Sequence, residues 1–171
     1  MIKIKIFLGV DHQGVKYKDD IVAYLKSNGV AVEASTLENN PTDDYTDFAL
    51  DVCKKVLSEN GLGILVCGSG IGMSIAANKV KGIRCARVFD ENDAFTAKNH
   101  NGANVIAFGI NLSLDTIYKI IDTFIATKNP CEERHLRRIE KINKIEAGNY
   151  ELWDNFIHNI YFYCGICHLW N

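Results

Sequence analysis

A parallel β-sheet between two layers of helices, an α/β fold, is what this sequence predicts. Three observations lead there. Short apolar runs alternate with amphipathic stretches over roughly the first 145 residues, the pattern of repeated strand–helix crossovers. The run Leu62-Gly63-Ile64-Leu65-Val66-Cys67 is almost wholly apolar, as a strand covered by helices on both faces must be. Polar groups that could carry chemistry fall at the ends of the runs: Asp11-His12 after the first, Cys67 closing the third, His100-Asn101 ahead of the fifth.

In chain order, residues 4–10 form a short run rich in branched residues and read as a strand. Residues 16–28 carry Tyr17, Ile21, Tyr24 and Leu25 at helical spacing, and Asn28-Gly29 stops that helix. Residues 30–34 are a second strand, and 38–43, polar and holding Pro41, a loop. Residues 44–59 place Phe48, Val52 and Val56 on one helix face, ended by Asn60-Gly61. The third strand, 62–67, runs into Gly68-Ser69-Gly70-Ile71-Gly72, and a short helix is expected over 73–80. Strand four covers 83–88, and Asp90 caps a helix reaching about Asn99. Strand five is 105–108, followed by a helix over 114–126 with Ile117, Ile120, Ile121 and Phe124 on one side. A last helix, 132–147, is dense in Arg and Lys. Five strands so connected predict a three-layer, Rossmann-like fold with a five-stranded parallel sheet. Ligands in such sheets sit at the carboxyl ends of the strands. Residues 1–147 are read as one domain. Residues 148–171 form an aromatic C-terminal extension (Tyr150, Trp153, Phe156, Tyr161, Phe162, Tyr163, Trp170).

Bulk properties narrow the function classes. With 171 residues, 47% hydrophobic and 23% charged, the chain is long enough to bury a core without staples. Its net charge of −2 supplies no field to draw nucleic acid, so any anion site must be built locally. The opening apolar stretch is broken by Lys3 and Lys5 and is too short for an export signal or a membrane span, so a cytoplasmic protein is expected. Six cysteines are then free thiols. Cys164-x-x-Cys167-His168 spells a haem-attachment pattern. Covalent attachment needs an exported chain, so it is read as a chance match, and no metal or cofactor is expected.

The glycine-rich loop 68–72 lets successive backbone N–H groups converge on one point, ahead of a helix N-terminus. Such a loop suits a phosphate, a carboxylate or a developing oxyanion. A tight turn with no ligand explains the composition equally well. The spacing is not the dinucleotide G-x-G-x-x-G, and the lysine of a P-loop is missing. Cys67 at the mouth of this loop shifts the balance: the same dipoles favour its thiolate, a nucleophile or general base. Cys53 and Cys85 fit better as buried small apolar residues. Asp11-His12 and His100-Asn101 are each explained alone by a turn or a helix cap. Together with Cys67 they predict one common cleft. Arg134 and Arg138, four apart on a helix, share a face fit for a phosphate dianion, or form an ordinary solvated face.

These residues resemble a known family. Asp11-His12, the stretch Cys67-Gly68-Ser69-Gly70-Ile71-Gly72-Met73-Ser74-Ile75-Ala76-Ala77-Asn78-Lys79, Gly82-Ile83-Arg84, His100-Asn101-x-Ala103-Asn104-Val105 and Arg134-His135 with Arg138 are similar, in order, to the B-type ribose-5-phosphate isomerases. The wider group includes galactose- and allose-6-phosphate isomerases. The resemblance implies a metal-free aldose–ketose isomerisation of ribose 5-phosphate and ribulose 5-phosphate, in the pentose phosphate pathway. It implies a homodimer or dimer of dimers whose active sites lie between subunits. Carried over by position, Cys67 moves the proton through an enediolate, assisted by Ser69. The amides of Gly68, Gly70, Gly72 and Ser74 hold the developing charge. His100 with Asp11 opens the sugar ring, Asn101 helps hold the intermediate, and Tyr45 lines the pocket. His12, Arg134, His135 and Arg138 bind phosphate.

Three departures stand out. Tyr45-Thr46-Asp47 replaces a usual Tyr-Pro-Asp. Asn111 occupies a position where the family often has a phosphate-binding arginine. The aromatic extension has no counterpart in short members. Isomerisation of a six-carbon 6-phosphate and a non-catalytic sugar-phosphate-binding subunit are the alternative readings.

Overall fold

The computed structural model describes residues 4–149. The Cys164–His168 pattern and all but the first two residues of the aromatic extension lie outside them. The chain divides into two units, residues 1–139 and 140–171. The described part of the second is the end of the last helix and a turn in which Gly148 takes φ +72°.

Five strands form one all-parallel sheet: β1 (Lys5–Val10), β2 (Ala31–Ala34), β3 (Leu62–Cys67), β4 (Cys85–Arg87) and β5 (Val105–Gly109), in spatial order β2-β1-β3-β5-β4. Among the described residues six helices accompany it: α1 (Lys18–Ser27), α2 (Tyr45–Glu59), α3 (Ile71–Ala77), α4 (Glu91–Asn101), α5 (Leu114–Ala126) and α6 (Glu133–Glu146). The fold is α/β and Rossmann-like.

Period-two alternation along the strands divides the core into two layers. Ile6, Leu8, Ile64, Val66, Ile106 and Phe108 pack against α1, α4 and α5 through Ile21, Leu25, Ala94, Ala97, Ile117, Ile121 and Phe124. Phe7, Leu65, Cys67, Val105 and Ala107 face α2 and α3 through Phe48, Val52, Val56, Met73 and Ala77. Full burial of each large side chain contributes about 1.5–3 kcal/mol, so this double-sided core fixes where every strand ends.

Differences from the expected elements have local causes. The first turn of the helix expected over 16–28 is a 3-10 turn, Gly14–Tyr17, with Asp11 Oδ1 accepting the amides of Gln13 and Gly14 at 2.9 and 2.8 Å. The strand expected over 83–88 shrinks to Cys85–Arg87 because it is an edge strand, paired only with β5. The helix after the glycine loop starts two residues early, at Ile71. Gly70 at φ +75° makes the reversal alone; a Cβ there would lie 2.8 Å from the Phe108 carbonyl carbon. Asp90 caps α4 as expected, accepting the Asp93 amide at 2.8 Å, but the helix runs on to Asn101, ended by Gly102 at φ +59°.

Candidate active site

The sheet order reverses between β1 and β3. β2 lies on one side of β1, and β3, β5 and β4 lie on the other. The crevice outside the carboxyl ends of β1 and β3 is therefore the expected ligand site. The register sets Val10 beside Val66, and the Asp11 amide donates to the Val66 carbonyl at 3.2 Å, so Asp11 and Cys67 emerge side by side. Both are 4% exposed.

The Gly70 amide donates to Cys67 Sγ at 3.1 Å, which fixes the sulfur at the base of the loop. Ser69 Oγ accepts the Ile71 amide at 3.2 Å, and the Ser69 carbonyl accepts from Arg87 Nε at 2.8 Å. Tyr45, at the start of α2, lays its ring over the loop: a Cβ on Gly72 would meet Tyr45 Cζ at 2.7 Å. Of the four loop amides expected to face a ligand, two are engaged inside the chain. Gly70 is bonded to the sulfur, and Ser74 donates to the Gly70 carbonyl at 3.2 Å as an ordinary turn of α3. The Gly68 and Gly72 amides have no such bond among the described residues. Ser74 Oγ donates back to the Ile71 carbonyl at 2.8 Å.

His12 follows Asp11 and bonds through Nδ1 to Asp43 Oδ1 at 2.7 Å, while its amide donates to the same oxygen at 3.2 Å. The Asp43 bond raises the His12 pKa above its ordinary value and favours the imidazolium. For Asp43, burial pushes upward, but the bonds from His12 and from Asn39 outweigh it and hold the carboxyl below its usual range. Burial raises the Cys53 thiol to about 12 and pushes Cys85 up as well, in keeping with inert, packed cysteines.

The single cleft expected from three strand ends does not form within one chain. A helix joining parallel strands runs back along the sheet, so α4 returns its last residues to the amino edge. There the Asn104 carbonyl accepts the Gly63 amide at 2.9 Å, and the Gly102 carbonyl accepts Arg84 Nε at 2.9 Å. Gly63 pairs with Val105 and Cys67 with Gly109. Four residues of strand, about 13 Å at roughly 3.3 Å each, therefore separate the two edges. His100 and Asn101 lie at the amino edge with Arg134, His135 and Arg138 of α6. The His100 and His135 rings stack at 4.3 Å, 6° from parallel. His135 is 5% exposed, whereas Asn101, Arg134 and Arg138 are open to solvent, with Arg134 Nε held to Glu132 at 2.7 Å.

Sequence reasoning missed Asp43 and Arg87. Asp43 lies 31 residues from His12 in a stretch read only as polar loop, so no spacing could reveal it. Arg87 sits inside a strand, its guanidinium 4.1 Å from the centre of the Phe89 ring.

Residues 6–142 match the Ribose/Galactose Isomerase family. The chain belongs to this family. A probable ribose-5-phosphate isomerase B of Mycoplasma genitalium is 40% identical over 151 residues, covering 85% of this chain and 97% of that protein. The ribose-5-phosphate isomerase B of Escherichia coli K12 is 38% identical over 83% of this chain and 96% of its own. Among solved structures, the M. genitalium ribose-5-phosphate isomerase B with bound ribulose 5-phosphate aligns with TM-score 0.80 at 36% identity, over 86% of this chain and 99% of that one. The type B enzyme of Trypanosoma brucei aligns with TM-score 0.79 at 40% identity, over 84% and 99%. This family member is thus an isomerase, an enzyme of the aldose–ketose class. Among its described residues no helix is long and apolar enough to cross a membrane, and no group of three or more metal-ligating side chains occurs.

Proposed function

We propose that this isomerase interconverts ribose 5-phosphate and ribulose 5-phosphate through an enediolate, with Cys67 as the base. One observation carries the reading: Cys67 stands at the β1/β3 switch point, its sulfur oriented by the Gly70 amide, beside buried Asp11, with the Tyr45 ring against Gly72 of the same loop. The carbon acid at C2 is weak, so the enediolate must be stabilised where its charge develops. The Gly68 and Gly72 amides and Ser69 Oγ are the donors at hand. Cys67 takes the C2 proton of the open-chain aldose and returns it to C1 while the O2 hydroxyl proton passes to O1, giving the ketose with no net change in protons.

Ring opening requires a proton lost from the C1 hydroxyl and one gained by the ring oxygen. His100, with Asp11, is assigned that exchange, and Asn101 helps hold the intermediate. Phosphate lies away from the reacting carbons, where His12, Arg134 and Arg138 anchor it, so its binding energy positions the sugar. Because His100 and the arginines lie at the amino edge, with about 13 Å of strand between that edge and Cys67 in one chain, we propose that each site is completed by the amino edge of a second copy. A two-fold axis makes two such sites at once, in a homodimer or a pair of them.

The test is turnover of ribose 5-phosphate by the purified protein and by Cys67→Ala, beside allose and galactose 6-phosphates. Loss of about 10²–10⁴ in kcat is expected for Cys67→Ala, the range for removing a general base. Full activity in that variant removes Cys67 from the mechanism. Preference for a six-carbon substrate, or binding without turnover, would replace the pentose reading. Asn111, at the usual arginine position, is the residue that makes those outcomes worth measuring.

A further inference from the structure

The resemblance groups His135 with the phosphate ligands, yet its surroundings differ from those of His12, Arg134 and Arg138. Its ring is 5% exposed, and its Nε2 has no hydrogen-bond partner among the described residues. Glu132 Oε2, at 3.7 Å, is beyond hydrogen-bond reach. One face of the ring is covered by His100, 4.3 Å away and nearly parallel. On α4, Phe95 meets His100 edge-on, with centroids 6.1 Å apart at 76°.

We propose that His135 is a positioning residue for His100: an uncharged imidazole platform that fixes the plane of the His100 ring for proton exchange at the sugar ring oxygens, rather than a cationic ligand of the phosphate. This rests on the isomerase reading given above.

Three arguments support it. An imidazolium carries two donors, and Nε2 of a charged His135 would be a buried donor with no acceptor, a costly arrangement. The groups around it are mostly positive: Arg134 and Arg138 on α6 and His100 on α4, with Glu132 opposing. Burial first, then His100 and the arginines, push the His135 pKa below its ordinary value. Two stacked imidazoles cannot both take a proton without repulsion, and the half-buried His100 is the one that can exchange it with substrate. When His100 holds that proton, the neutral ring of His135 faces a cation and stabilises it. The pair is complete within one chain, so the orientation exists before a second copy brings Cys67.

Ribulose 5-phosphate cannot close a furanose ring, because its C5 oxygen carries the phosphate. Its C1 protons exchange with solvent deuterium through the enediolate alone, without ring opening. In His135→Ala, kcat on ribose 5-phosphate should fall roughly tenfold, while KM and inhibition by inorganic phosphate move less than about twofold. Deuterium uptake into ribulose 5-phosphate should stay within about threefold of wild type. His135→Phe keeps a flat ring and should recover most of kcat. The His135 ring signals in NMR should not titrate above pH 6.5, a readout that needs no variant. A tenfold rise in KM and in the phosphate inhibition constant in both variants would make His135 a phosphate ligand and overturn the proposal. So would titration of His135 above pH 6.5, or failure of His135→Phe to recover kcat. Deuterium exchange that persists in Cys67→Ala would instead sink the assigned base, a failure of the parent reading distinct from these.

Discussion

The two edges of the sheet are built on different physical terms. At the carboxyl edge the chemistry-bearing residues are held by the chain's own bonds. Asp11 accepts two amides, Cys67 one, His12 is tied twice to Asp43, and Gly70 sits in a backbone conformation with no room for a side chain. At the amino edge His135 is buried, but Arg134, Arg138 and Asn101 stand in solvent, and His100 is half exposed. The first edge resembles a finished half-site, shaped before ligand arrives. The second resembles a surface awaiting a partner, in which long cationic side chains keep their freedom until a phosphate or another chain orders them.

That contrast is broken or sharpened most strongly by complementation. Cys67→Ala and His100→Ala should each be nearly inactive alone. If each site takes Cys67 from one copy and His100 from the other, refolding the two together gives mixed dimers with one intact site of two. About a quarter of wild-type turnover should return, since half of the dimers are mixed under two-fold symmetry. No recovery, with mixed dimers demonstrated by mass, would place both residues in one chain's site and end the two-edge account.

Next in size are the arginines. Arg134→Ala and Arg138→Ala should each raise KM for ribose 5-phosphate by roughly ten- to a hundredfold, the worth of a charge-assisted hydrogen bond of about 1.5–3 kcal/mol. Neither should move the melting temperature, because both side chains are exposed. A stability loss matching the KM change would mean that the amino edge is as preformed as the other.

Gly70→Ala probes the opposite edge. Its φ of +75° and the Phe108 backbone 2.8 Å from an added Cβ predict a loss of about 1–3 kcal/mol for the strained conformation, and more for the clash. Denaturant unfolding reads this directly. A neutral result would show the loop to be adaptable and not a rigid frame for the sulfur.

Much of this frame was legible in the sequence. The strand Leu62–Cys67 was placed to the residue, because an unbroken apolar run between Gly61 and Gly68 has only one way to be buried on both faces. The edge strand was read too long, since nothing in Ile83 to Val88 announces that only one side is paired. The register of the glycine loop depended on which glycine takes positive φ, a property decided by the approach of Phe108 and invisible in G-x-G-x-G. His100 misled most. Its closeness in sequence to β5 hid the direction in which a crossover helix runs, and a cleft completed by a second chain, as proposed above, has no signature in one. Asp43 could not be found at all, because its role comes from a loop folding back over β1.

Asp43 also supplies the smallest effect and the finest test of the carboxyl edge. The His12 pKa lies above 6.5, chiefly through its bond to Asp43. The imidazolium is therefore favoured below that raised value, and both its stabilising bond and its charge for phosphate fade as pH rises through it. Asp43 works in the other sense: its carboxyl is held below 3.8, so its contribution is present above that value and lost as pH falls through the depressed one. Removing the carboxylate in Asp43→Asn takes away the largest cause of the His12 shift. KM for ribose 5-phosphate should then begin to rise at a lower pH than in wild type. The two enzymes should agree near pH 5.5, where His12 is charged in both, and differ by a few-fold near neutrality, as the free imidazole titrates at about 6.5. A KM raised equally at every pH would mean that Asp43 only shapes the loop. Coincident profiles would remove His12 from the phosphate, leaving the whole anion site to the arginines of the other edge.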